Sequence, residues 1–158
     1  RLSNLVRGFD MNILVNSKSL ESRQKDFPHV KNVSFDELIT TSDIISFHCK
    51  ATPDGKPLIN KEHYKKMKPT TIIINTARGN IIDENDLNIA LNNNIIVGAA
   101  IDVYSKEPAK ENILFNNPKI LLTPHIAAST AEAQIIVAEM VANQICKFLL
   151  KGVKINIV

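Results

Sequence analysis

Four side chains in this 158-residue chain combine a reactive type with a suitable setting. His125 follows Thr123-Pro124 and precedes the small residues Ala127-Ala128. Histidine is the usual general acid or base near neutral pH, and small neighbours let a flat ligand approach closely. The plainer reading is a loop histidine capping the next helix. Glu107 lies in Lys106-Glu107-Pro108. A carboxylate there could hydrogen-bond a histidine, hold its tautomer and favour its protonated form; otherwise it is a solvated turn glutamate. Arg78 lies in Ala77-Arg78-Gly79. Its guanidinium can grip a carboxylate through a bidentate fork, and the glycine gives the turn room. The alternative is a surface arginine paired with Asp83 or Glu84. Asp102 ends an apolar run, where a carboxylate needs a cation, a helix N-terminus or a ligand amide.

Other reactive types read as structural. His48 ends a strand candidate, Cys49 reads as a small buried hydrophobe, and Cys146 as a packed position on a long helix. A nucleophilic cysteine has no second feature beside it. His29 and His63 read as exposed, and no His, Cys and carboxylate set has metal spacing.

These side chains need elements to position them. Residues 1–9 carry the helical stripe Leu2, Leu5, Val6, Phe9. Met11–Val15 reads as a buried strand and Ser17–Val30 as a polar loop with one helical turn. Ser34 and Glu37 make a capping-box pattern. Asp43–Cys49, Thr71–Asn75, Ile95–Val103 and Lys119–Thr123 read as strands. Asn60, Asp83 and Ser129-Thr130 open helices through Met67, Leu91 and Leu150. Helix and strand alternate, and the strands are continuous apolar runs. The expected fold is α/β, a doubly wound parallel sheet with helices on both faces. Ligands of such sheets bind beyond the carboxyl ends of the strands, where Arg78, Asp102, Glu107 and His125 fall.

Composition narrows the class. Hydrophobic residues make up 44% and charged residues 22%, enough to bury a core. Nineteen basic against 16 acidic residues give +3, too weak a charge for a nucleic-acid binder. Residues 1–10 lack a signal-peptide core, and the uninterrupted apolar runs are shorter than a membrane span. Two cysteines without a framework fit a reducing cytoplasm.

The order of the motifs carries a family resemblance. Asn75-Thr76-Ala77-Arg78-Gly79-Asn80-Ile81-Ile82-Asp83-Glu84, then Gly98-Ala99-Ala100-x-Asp102-Val103-Tyr104-x-x-Glu107-Pro108, then Leu122-Thr123-Pro124-His125-Ile126-Ala127-Ala128-Ser129-Thr130, resembles the D-isomer-specific 2-hydroxyacid dehydrogenases. So do Leu58-Ile59-Asn60, Met67-Lys68-Pro69 and Phe9-Asp10-Met11, the last with Asp where that family usually has Gly. The resemblance implies a Rossmann-like NAD-binding domain. It implies that Arg78 binds the substrate carboxylate, that His125 is the acid/base and that Glu107 is its partner. Ser17, Cys49, Thr52, Thr76, Ala77, Arg78, Asp102, His125 and Ala127 would line the cofactor, with Asp102 on the nicotinamide carboxamide. Ser129-Thr130-Ala131-Glu132-Ala133-Gln134 is similar to the run opening the long helix in phosphoglycerate dehydrogenases, which points to 3-phosphoglycerate oxidation in serine biosynthesis. The alternatives are another D-2-hydroxyacid, a glyoxylate or hydroxypyruvate reductase, or an idle dinucleotide-sensing module. The implied assembly is a homodimer or homotetramer through the cofactor domain.

Two departures stand out. The glycines, at 8, 55, 79, 98 and 152, form no G-x-G-x-x-G turn. The chain opens at Arg1 inside a helical stripe, so it reads as truncated at its N-terminus. The first strand and the pyrophosphate turn would lie upstream, and the piece is expected to fold poorly alone. Residues 1–150 would be the dinucleotide-binding domain, and 151–158 the start of a return to a substrate domain. The second departure is Asn16-Ser17-Lys18, where an acidic residue for the adenosine ribose is expected. Ser17 bonding the ribose would keep NAD as the cofactor; Lys18 would tolerate the 2′-phosphate of NADP.

Overall fold

A computed structural model describes residues 2–155. Arg1 and 156–158, the far end of the expected return segment, lie outside the described residues. The stripe at the start folds as α1 (Leu2–Leu5) and a 3₁₀ turn (Val6–Phe9). Asp10 then adopts the left-handed conformation, φ 53° and ψ 41°. Glycine enters that region without cost and aspartate is among the few residues that tolerate it, which accounts for Asp10 in a glycine position.

Six parallel strands follow: β1 (Ile13–Val15), β2 (Val30–Asn32), β3 (Ile44–Phe47), β4 (Ile72–Asn75), β5 (Gly98–Ile101) and β6 (Ile120–Leu122). They form two sheets, β1-β2 and β3-β4-β5-β6, all in parallel register. β2 was not expected, because its three residues, Val-Lys-Asn, are too short and polar to signal a strand. Pairing with β1, which sets Val30 against Ile13, overrides that weak propensity.

Helices α2 (Lys18–Glu21), α3 (Phe35–Thr41), α4 (Lys61–Tyr64), α5 (Glu84–Asn92) and α6 (Ala131–Lys151) complete the fold. Their starts follow the capping residues. Ser34, Asp83 and Thr130 side chains accept from the backbone N–H three residues on, while Asn60 accepts from Glu62. Each such cap contributes about 0.5–2 kcal/mol. Glu37 does not complete a box with Ser34; its carboxylate pairs with Lys31 at 2.9 Å.

One face of the four-stranded sheet is buried in the core, while the other is half-buried to exposed among the described residues. Ile45, Phe47, Ile73, Ala99 and Ile101 point into a core shared with Ile39, Tyr64, Leu87 and Leu91. The alternate positions Ile44, Ile72 and Leu121 are exposed. The expected α/β fold of parallel strands alternating with helices is present, with the second face of the four-stranded sheet more open than the first. Period-2 alternation sends half of each apolar run to the second face. All of α6 is exposed or half-buried, so Cys146 is exposed rather than packed. Cys49 is exposed as well, because β3 ends before it. His29 and His63 are half-buried instead of exposed. His63 Nδ1 accepts from the Asn60 N–H at 3.2 Å, closing the cap of α4. By length and composition α6 is long and apolar enough to cross a membrane, with mean hydropathy 1.3. Counting uninterrupted apolar runs overlooked it, because Glu139, Asn143 and Gln144 divide its apolar residues.

Candidate active site

Three strand exits build the site. β4 ends in Asn75, which is buried and turns the chain: its Nδ2 donates to Arg78 O at 2.9 Å, and its Oδ1 accepts from Ala77 N at 3.1 Å. Arg78 emerges exposed from that turn. Its guanidinium donates to Ala77 O at 2.6 Å and makes no ion pair among the described residues, so the surface pairing with Asp83 or Glu84 does not form. Gly79 is buried directly against the β5 exit. A Cβ there would lie 1.9 Å from Tyr104 C and O. Only glycine permits this approach, which brings the Arg78 turn beside the loop carrying Glu107.

That loop is held at several points. Glu84, the first residue of α5, accepts from Ser105 N and Ser105 Oγ, both at 2.8 Å, and from Asn112 Nδ2 at 2.9 Å. Glu107 Oε1 accepts from Tyr104 N at 3.0 Å. Its Oε2 lies 2.6 Å from His125 Nδ1. The Tyr104 N–H, then the bond from His125, hold the Glu107 carboxyl below the usual carboxylate range, against a smaller desolvation effect. An ionised carboxylate can only accept, so Nδ1 carries the proton in this pair and Nε2 is the ring nitrogen left for a ligand.

His125 sits in the left-handed region at φ 55°. A non-glycine residue there is uncommon, although histidine is among the enriched types. Asp102, 3% exposed at the end of β5, fixes the segment. Its Oδ1 accepts from Thr123 Oγ1 at 2.5 Å and Ile126 N at 2.9 Å, and its Oδ2 from Ala127 N at 3.1 Å. Burial alone raises the Asp102 carboxyl; the three donors and His125 outweigh burial and hold it below its ordinary value. Tyr104 adds a bond from its hydroxyl to Thr123 O at 2.9 Å. Asp102 was expected to face a ligand amide; most of its acceptor capacity instead holds the His125 segment.

Arg78, Gly79, Tyr104, Glu107 and His125 border one open cleft of about 290 Å³. The structure thus brings Arg78, Glu107 and His125 together and places Asp102 beneath them. Thr76 is exposed and Ala77 half-buried on the Arg78 turn; Ala127 is exposed beyond His125. Cys49 and half-buried Thr52 follow β3, where Thr52 Oγ1 donates to Lys56 O. Ser17 stands at the exit of β1, on the other sheet. These exits offer small side chains, hydroxyls and backbone at the carboxyl ends of parallel strands, a donor set that fits a dinucleotide. Sequence reasoning missed the roles of Glu84 and Tyr104, and read Gly79 only as room for the turn, not as the point of contact with Tyr104. The glycine beside Arg78 was a visible signal; the reach of Glu84 to Ser105, 21 residues on, had none.

Residues 1–127 match the family described as D-isomer specific 2-hydroxyacid dehydrogenase, NAD binding domain. The chain is 39% identical over 143 residues to the D-3-phosphoglycerate dehydrogenase of Bacillus subtilis (strain 168), covering 90% of this chain and 27% of that protein. It superposes with TM-score 0.83 and 34% identity on a glyoxylate reductase from Paecilomyes thermophila, covering 98% of this chain and 47% of that one. It superposes equally well, at 29% identity, on an acyclic imino acid reductase in complex with NADPH and D-Arg, covering 95% and 47%. The chain therefore spans about a quarter to a half of the length of these proteins.

Proposed function

The chain belongs to the D-isomer-specific 2-hydroxyacid dehydrogenases through their NAD-binding domain, and from that premise we propose that it serves a nicotinamide-dependent interconversion of D-2-hydroxy acids and 2-oxo acids. The observation that carries this reading is the Glu107–His125 pair at 2.6 Å on the same cleft as Arg78. All three candidate groups being present and mutually placed weighs against an idle sensing module.

Each residue then has a task. Arg78 releases Ala77 O and grips the substrate carboxylate in a two-pronged bond, orienting C2. His125 Nε2 takes the hydroxyl proton when the hydroxy acid is oxidised and returns it when the oxo acid is reduced. Glu107 holds Nδ1 and stabilises the positive charge that His125 gains when Nε2 is protonated. Asp102 and Tyr104 are positioning residues that keep the His125 segment in place. Cys49, Thr52, Thr76, Ala77 and Ala127, with Ser17 at the ribose end, would hold NAD. When bound, the nicotinamide supplies the hydride acceptor or donor for C2.

The preferred substrate is 3-phosphoglycerate, as in serine biosynthesis, supported by the 39% identity to the Bacillus subtilis protein. Glyoxylate or hydroxypyruvate reduction is the second reading, favoured by the likeness to a glyoxylate reductase. We assign residues 1–150 to the dinucleotide-binding domain and 151–158 to the start of the return to a substrate domain. The wider reading is a cytoplasmic homodimer or homotetramer. The dehydrogenase reading is tested by His125→Ala in the full-length protein. NADH formation from 3-phosphoglycerate, or oxidation with glyoxylate, falls by about 10²–10⁴-fold while dinucleotide binding persists. An unchanged kcat rules out His125 as the acid/base.

A further inference from the structure

In a dinucleotide fold, the adenosine ribose rests near the exit of the strand that follows the first helix. A carboxylate there bonds the 2′-hydroxyl and repels a 2′-phosphate, whereas a cation accommodates the phosphate. In this chain that exit is Asn16–Ser19, after β1. Resting on the dinucleotide-binding reading above, we propose that this corner accepts a 2′-phosphorylated ribose, so that the protein binds NADP(H) at least as well as NAD(H).

The corner is built without a carboxylate. Asn32, at the end of β2, clamps Ser17 from both sides: its Oδ1 accepts from Ser17 N at 3.2 Å and its Nδ2 donates to Ser17 O at 3.3 Å. Asn16 Nδ2 donates to Val33 O at 2.8 Å. The polar side chains tying the two strand exits together are therefore neutral amides. Ser17 Oγ and Ser19 Oγ lie 3.0 Å apart. Two hydroxyls sharing one hydrogen bond use one proton and leave the other to donate, and a phosphate only accepts.

Charge around the corner points the same way. Asp26 is paired with Arg23 at 3.2 Å, Glu37 with Lys31 at 2.9 Å and Asp36 with Lys66 at 2.5 Å. Lys18 is exposed and makes no ion pair among the described residues. The one acid of α2, Glu21, is also without an ion-pair partner and sits three residues further along the helix. An incoming 2′-phosphate at this corner thus has an unpaired lysine and a spare hydroxyl proton available, against Glu21, the unpaired acid at the far end of α2.

Calorimetric titration of the full-length protein with NADPH and with NADH, at low and high salt, tests this. NADPH is expected to bind as tightly as NADH or more tightly, with the steeper loss of affinity as salt rises. Lys18→Ala should weaken NADPH by about fivefold relative to NADH, the scale of one exposed charge pair. Ser17→Asp should weaken it by about tenfold or more through like-charge repulsion. Lys18→Glu repeats that test where Ser17→Asp melts early. The proposal is overturned if the unsubstituted protein binds NADH tenfold more tightly than NADPH, or if these substitutions leave the ratio unchanged. Binding of neither nucleotide overturns the dinucleotide reading with it, so the two failures are distinguishable.

Discussion

Gly79→Ala separates geometry from chemistry, since it adds one methyl group and touches no reactive atom. The new Cβ would stand 1.9 Å from Tyr104 C and O and 2.5 Å from Ser105 N. Carbon atoms in contact sit about 3.5–4.0 Å apart, so the backbone must open by about 1.5 Å or more. The atoms in the way are main chain and cannot rotate aside. Tyr104 N anchors Glu107, and Ser105 is fixed to Glu84, so the displacement passes into the Glu107–His125 pair. Overpacking of this kind costs about 1–3 kcal/mol, and a misplacement of about 1 Å can lower rates by about 10²-fold. The expected result is a fall in kcat/KM on the order of 10²-fold, with a Tm loss on the order of 2–10 °C. Steady-state kinetics with the D-2-hydroxy acid, beside a thermal melt, measures both. Gly8→Ala is the control, since a Cβ there meets nothing within 4 Å. If Gly79→Ala behaves like Gly8→Ala in both assays, the close approach does not register the site.

Arg78→Lys keeps the charge and removes the fork, so KM for the acid rises by about tenfold or more; an unaltered KM in substrate titrations takes Arg78 out of substrate binding. Asp102→Asn turns an acceptor toward three donors into a mixed group and should cost about 1–3 kcal/mol near neutral pH, read as a lower Tm. The Asp102 carboxyl is held low despite burial, so its contribution is complete above the ordinary carboxylate range and is lost as pH falls through its lowered value. Melts across the acid range should therefore show a steeper stability loss below about pH 4 for the unsubstituted protein than for Asp102→Asn; equal slopes contradict this. The Tyr64 hydroxyl is buried with no hydrogen-bond partner among the described residues. Tyr64→Phe removes that unpaired group and should leave Tm unchanged or higher; a fall of several degrees would mean the hydroxyl has a stabilising partner.

Much of the framework was legible because its signals are local. Ser34, Asn60, Asp83 and Thr130 cap the helices they precede, since a cap is decided within three residues. The apolar runs at Thr71–Asn75 and Ile95–Val103 announced strands, which form at Ile72–Asn75 and Gly98–Ile101. The strand-exit rule then put Arg78, Glu107 and His125 on one end of the sheet before any contact was known. β2 was not legible, because a three-residue edge strand is made by its partner. Nor was the exposure of Cys49 and Cys146, which depends on where a strand ends and what covers a helix.

The sequence by itself determined which groups are available, their order along the chain and the family they belong to, all properties of residue type and spacing. Tertiary structure decided how those groups are held. Gly79 lies flush on Tyr104, Glu84 reaches Ser105 and Asn112, and Asp102 gathers Thr123, Ile126 and Ala127. These partners are 21 to 28 residues apart in sequence. No periodicity links residues so far apart; only the parallel register of β4, β5 and β6 brings their exits within hydrogen-bonding distance.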